Sequence, residues 1–196
     1  MRPTLYVLAG PNGAGKTTFY HAALSKLTDA EFVNADALAL AHFGHVAVTA
    51  EESQTGQNLA ATRMEELLSS GGSLVVESTF SHPSKLELIA AAKVAGYRVV
   101  VFHINVRTAE HAVRRVAERV SHGGHPVPED RLRARYIRNQ SLIRQAVIEA
   151  DWAYVFDSSM LGAPPVQLLA FTKGRNVNAV GNLPTWASDL YGQYLT

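Results

Sequence analysis

The chain has 196 residues, 47% of them hydrophobic, enough for one well-buried core and short for two domains. Its 18 basic and 17 acidic side chains nearly cancel, leaving +1, so no global field argues for nucleic acid or an anionic membrane as a partner. There is no cysteine, which excludes disulfides, thiolate metal sites and a cysteine nucleophile, and no run reaches the ~18 apolar residues of a membrane span; a cytoplasmic setting is the expectation.

Leu5 to Ala9 read as a buried strand. Gly10, Pro11, Asn12, Gly13, Ala14, Gly15, Lys16 and Thr17 follow, completing the phosphate-loop pattern G-x-x-x-x-G-K-[ST], with Thr18 as the next helical residue. Glycines let backbone N–H groups close around a β-phosphate, Lys16 has the length to reach β and γ oxygens, and the Thr17 hydroxyl is a ligand for Mg²⁺. The pattern implies a nucleoside triphosphate with Mg²⁺, and ATP and Mg²⁺ are the expected cofactors. A dinucleotide site also places an acid about 20 residues after its first glycine turn, as Asp36 is here. However, Gly10, Gly13 and Gly15 do not fit G-x-G-x-x-G, and such a site has no use for Lys16 and Thr17.

Further elements follow in order. A helix is expected from about Lys16 to Lys26, then a short strand from Glu31 to Asn34. Residues 51–70 have helical spacing and stop at Gly71-Gly72; Ser73 to Glu77 is the next strand. A helix from about Ser84 to Ala95 ends at Gly96, and the β-branched run Arg98 to Val106 suits a central parallel strand. Helices flank residues 122–128, strands are expected at Trp152 to Asp157 and Val166 to Thr172, and the tail from Arg175 is a loop or hairpin before a short helix near Trp186 to Tyr191. Strands alternating with helices predict a single three-layer α/β/α domain of the P-loop NTPase type, with a mostly parallel sheet.

Three groups surround the expected phosphate site. Asp36 follows the second strand, where the carboxyl ends of strands converge on a ligand, and is placed to take the proton of an attacking hydroxyl. It also suits an N-cap for a helix from Ala37 onward. Glu77 and Thr79 close the third strand and offer a carboxylate and a hydroxyl for substrate contact; Glu77 also fits as an acid behind Mg²⁺. From Arg107 to Arg144 there are nine arginines against Glu110, Glu118, Glu129 and Asp130, a local charge of +5. Arg115 with Arg119, and Arg131 with Arg135, are i, i+4 pairs on either side of Gly123-Gly124, predicting an arginine-rich helical lid over about 115–138. His122 and His125 have no zinc-ligand spacing and read as loop residues. No strand ends in an Asp-Glu pair, and neither a Leu-Ser-Gly-Gly-Gln nor an Asn-Lys-x-Asp motif is present, which counts against motor and transporter ATPases and against guanine-nucleotide switches.

Gly10 to Thr17, Asn34-Ala-Asp36, Glu77-Ser-Thr79, the Arg119 to Tyr136 stretch and Phe156-Asp-Ser158 together resemble the zeta toxin family over about residues 4–173, most specifically its compact bacterial branch at residues 115–128. The resemblance implies a kinase acting on the 3′-hydroxyl of UDP-N-acetylglucosamine. By this likeness Lys16 and Asp36 are catalytic, Glu77 and Thr79 bind substrate, Arg119 and one of Arg133 or Arg135 contact the transferring phosphate, with Arg135 taken as the catalytic one and Arg133 as a substrate contact, and a small antitoxin is the partner. An acidic substrate contact that the family carries upstream of Glu77 has no clear counterpart here. The alternatives are a kinase for another small hydroxyl compound, or a regulatory ATP-binding module without an acceptor. The expected signatures are loss of transfer with ATP affinity kept on losing Asp36, and loss of both on losing Lys16.

Overall fold

The computed structural model describes residues 2–121 and 127–195. In chain order the elements are β1 (Thr4–Ala9), α1 (Lys16–Ala22), β2 (Glu31–Val33), α2 (Ala35–Phe43), α3 (Ala50–Ser70), β3 (Leu74–Ser78), α4 (Ser84–Val94), β4 (Arg98–Asn105), α5 (Ala109–Ser121), α6 (Glu129–Glu149), β5 (Trp152–Asp157), β6 (Val166–Thr172), β7 (Arg175–Ala179) and α7 (Thr185–Tyr191).

The strands form one sheet in the order β2-β3-β1-β4-β5-β6-β7. Pairings from β2 to β5 are parallel, and β6 and β7 add an antiparallel edge. This is a three-layer α/β/α P-loop NTPase fold. Alternation along β1 divides the core between its faces. Leu5, Val7 and Ala9 pack with Ala60 and Leu67 of α3, Ile89 of α4, Ile143 and Val147 of α6 and Trp186 and Tyr191 of α7. Leu8 belongs to the other layer, with Phe19 of α1, Leu24, Phe102 and Ile104. The β-branched and Leu-rich strands β1, β3 and β4 are buried on both faces, as a central parallel strand must be.

Local chemistry explains where the structure departs from the expected elements. The first helix stops at Ala22 and tightens into a 3-10 turn over Leu24–Lys26, as helix ends commonly do. The long helix α3 starts on a capping box, with Thr49 Oγ1 accepting from the Glu52 N–H and Glu52 accepting in return from the Thr49 N–H. The cap of α2 is Asn34, whose Oδ1 accepts from the Ala37 N–H at 2.9 Å; Asp36 lies inside the first turn. Asp36 is therefore not the N-cap. The tail resolves as a hairpin, β6 and β7 turning at Lys173 and Gly174, both at positive φ, and α7 completes one face. Residues 122–126, including His122, Gly123, Gly124 and His125, lie outside the described residues. Among the described residues no helix is long and apolar enough to cross a membrane, and no group of three or more His, Cys, Asp or Glu is placed to hold a metal.

Candidate active site

The sheet order sets the site. β3 lies directly beside β1, with Glu77 opposite Leu8 and Ser78 opposite Ala9, so the end of β3 and the start of the phosphate loop are neighbours. The loop begins at buried Gly10, and its N–H donates to the Ser78 carbonyl at 3.3 Å. It is pinned on its other side by α5. Gly13 has φ +77°, and a Cβ there would sit 2.8 Å from the Ala112 carbonyl oxygen and 3.2 Å from Arg115 Cβ. Only glycine meets both demands. Pro11 and Ala14 are buried, Gly15 precedes α1 with φ 83°, and Thr17 and Thr18 are exposed on its first turn. Asn12 Oδ1 is buried with no hydrogen-bond partner among the described residues.

Lys16 is 5% exposed, donates to the Pro11 carbonyl at 3.1 Å and lies 3.6 Å from Glu77 Oε1. Burial pushes its ammonium below the usual lysine range. Glu77 opposes that shift, Arg119 adds to it, and Asp36 weakly opposes it. Lys16 thus sits in the field of side chains from β3, α5 and α2 at once. Glu77 is the junction: its Oε2 accepts from Thr17 Oγ1 at 2.7 Å and from Asn34 Nδ2 at 3.3 Å. The cluster is a desolvated cation facing one carboxylate at 3.6 Å, a pairing that an arriving polyphosphate can take over.

Thr79 lies two residues past Glu77, half-buried, and its carbonyl accepts from buried Asn139 Nδ2 on α6. The arginine-bearing helix is thereby tied to the end of β3. Phe80, next in the chain, is fully buried at φ 54°, a left-handed conformation that a bulky residue adopts only when its surroundings impose it.

The arginines divide by role. Arg119 is exposed on α5, within electrostatic reach of Lys16. Arg133 pairs with Glu110 at 3.3 Å and Glu129 at 3.0 Å, and these partners hold its guanidinium above its ordinary range. Arg135, half-buried two positions on, faces a different direction on α6. Arg115 is a tether: its Nη1 donates to Ser158 Oγ and its Nη2 to the Met160 carbonyl, both at 3.3 Å, joining α5 to the loop after β5 beside Gly13 and Gly15. Asn34 and Ser158 stand in the motifs quoted from the sequence but were given no task there. An Asn between a strand and an acid-bearing helix was the available signal for the capping role of the first; the bond of the second to Arg115 depends on which strands are neighbours.

The family model for Zeta toxin matches residues 1–157. The chain belongs to the zeta toxin family. No curated protein sequence matches it. Among solved structures, this zeta toxin family member is similar to a chain in the crystal structure of AvrRxo1-ORF1:AvrRxo1-ORF2 with sulphate ions, at TM-score 0.70 and 22% identity over 100% of this chain and 64% of that one. The same complex with ATP matches equally, at TM-score 0.70 and 22% identity with the same coverage. The PezAT chromosomal toxin-antitoxin system of Streptococcus pneumoniae matches at TM-score 0.59 and 14% identity, over 98% of this chain and 83% of that one. At such identities these likenesses speak for the fold, and the chain spans 64% of the length of the AvrRxo1 chain.

Proposed function

We propose that this chain is an ATP- and Mg²⁺-dependent kinase that transfers a γ-phosphoryl group to a hydroxyl of a small nucleotide-linked sugar, of the UDP-N-acetylglucosamine class. Membership of the zeta toxin family supports phosphotransferase chemistry. The observation that carries the reading is Glu77 of β3 set against both functional side chains of the phosphate loop, 3.6 Å from buried Lys16 and 2.7 Å from the Thr17 hydroxyl, with Arg119 of α5 and Asp36 of α2 within electrostatic reach of the lysine. A site that only bound nucleotide would need the phosphate loop; a carboxylate and a second cation beside it suit transfer.

The Thr17 hydroxyl is a hard oxygen donor of the kind Mg²⁺ takes and would hold it, with the Glu77 carboxylate, 2.7 Å from that hydroxyl, behind the ion. When bound, the ion neutralises charge on the β and γ oxygens. Gly10 to Thr18 cradle the phosphates. Asp36, exposed on the first turn of α2, orients the acceptor hydroxyl and takes its proton. Lys16, Arg119 and Arg135 stabilise charge on the transferring group; Glu77, Thr79 and Arg133 contact the acceptor. The parts of α5 and α6 within about residues 115–138 act as the lid. PezAT is described as a toxin-antitoxin system and AvrRxo1-ORF1 was solved with ORF2, which supports an antitoxin protein as a partner of this chain.

The test is ADP production by purified protein with Mg²⁺-ATP, with and without UDP-N-acetylglucosamine, and mass spectrometry of the acceptor. Addition of one phosphoryl group is expected. ATP binding without any acceptor-dependent ADP release, across a panel of sugar nucleotides and nucleosides, would replace the kinase with a nucleotide-binding module.

A further inference from the structure

The Asn34 amide is used at both ends. Its Oδ1 accepts from the Ala37 N–H at 2.9 Å and closes the N-terminus of α2, while its Nδ2 donates to Glu77 Oε2 at 3.3 Å. That same oxygen accepts from Thr17 Oγ1, and the other oxygen of Glu77 faces Lys16 Nζ. One side chain therefore connects the start of the helix carrying Asp36 to the carboxylate that holds both functional side chains of the phosphate loop. The neighbourhood needs such a link. β2 is a three-residue edge strand paired only with β3, and α2 follows it immediately, packing chiefly on α3.

We propose that Asn34 is a positioning residue that locks Asp36 to the phosphate loop through Glu77, so that occupation of the loop is felt at the start of α2. This inference rests on the reading of the site as a kinase centre. Asparagine suits the role because it presents an acceptor to the helix and a donor to the carboxylate together. Aspartate presents acceptors only, and serine, with one short hydroxyl, caps well but cannot also span to Glu77. In phosphoryl transfer the reacting oxygen must be held in line and close, and a base on a helix free to drift by ~1 Å would forfeit much of that advantage.

The experiment is hydrogen–deuterium exchange of the α2 amides, referenced to α4, for wild type, Asn34→Ser and Asn34→Ala, with and without Mg²⁺ and the non-hydrolysable analogue AMP-PNP. In wild type the analogue is expected to slow α2 exchange by about threefold or more, as local opening is suppressed. Asn34→Ser should keep the melting temperature and the AMP-PNP affinity yet lose the response of α2. Asn34→Ala should in addition raise α2 exchange without nucleotide, because the cap is gone. An unchanged response in Asn34→Ser, or no response in wild type despite binding, overturns the link alone; failure of wild type to bind AMP-PNP overturns the kinase reading with it.

Discussion

Asp36 and Lys16 show what a single residue's surroundings decide. Both carry opposite charges near one site, but Lys16 is buried against Glu77 and Asp36 stands in solvent on a helix turn. A buried cation is poised for phosphate, and an exposed carboxylate can meet an incoming hydroxyl. Asp36→Ala is accordingly expected to reduce transfer by about 10²- to 10⁴-fold, the range a positioned base supplies, while ATP affinity stays within about threefold. Steady-state kinetics alongside ATP titration checks this; a variant that transfers at the wild-type rate would remove Asp36 from the chemistry. The identities of Lys16, Thr17, Asp36 and Glu77 were legible because each falls at a fixed offset from a strand end. Asn34 was quoted in the motif yet given no task, since its value lies in a bond to Glu77, 43 positions away.

At the scale of elements, α2 depends on its contact with α3. Gly56 sits where the helices nearly touch: a Cβ there would come 2.5 Å from the Ala35 carbonyl oxygen and 2.8 Å from Ala39 Cβ. Gly56→Ala must push α2 outward, at a cost of about 1–3 kcal/mol for an overpacked contact. Because Ala35 adjoins Asp36, the displacement moves the proposed base. Transfer is expected to fall by about 10²-fold while nucleotide affinity is kept, the signature of misplacement by ~1 Å. Equal losses in affinity and rate, measured on the same preparation, would instead point to general unfolding. The helical spacing of residues 51–70 announced α3, but nothing in that spacing marked Gly56 as the crossing point. The predicted lid illustrates a similar limit: two i, i+4 arginine pairs were visible, whereas the tie of Arg115 to Ser158 and Met160 and the ion pair of Arg133 with Glu110 required α5, α6 and the loop after β5 to be in place.

Across the whole molecule, the tail closes the fold through a buried polar contact. His103 on β4 is fully buried, its Nδ1 2.8 Å from the Tyr191 hydroxyl and its ring edge-on to Trp186, so α7 is seated on the sheet by an imidazole. Burial pushes the His103 pKa from 6.5 down to about 3. The folded chain thus keeps His103 neutral over a range in which the unfolded chain takes up a proton. Unfolding then binds one proton, and stability falls with acidification below pH 6.5 until about pH 3, where the folded form protonates too. The expected slope is about 1.4 kcal/mol per pH unit from this residue. Denaturant melts of wild type and His103→Gln between pH 7.5 and 4.5 give it by difference; parallel curves would show that His103 is not kept neutral in the fold.

The sequence alone determined the phosphate loop, the alternation of strands and helices and the family. These rest on short-range rules: apolar period, glycine placement, and the offset of a polar residue from a strand end. The tertiary structure decided that β3 lies beside β1, bringing Glu77 onto Lys16 and Thr17, that Asn34 rather than Asp36 caps α2, and that Arg115 tethers the loop after β5. The contacts of Glu77 and Arg115 depend on strand order, and the capping of α2 on which of two neighbouring polar residues ends the extended backbone. The strand-order outcomes are set by packing the whole sheet and its helices together, and local sequence carries little record of them.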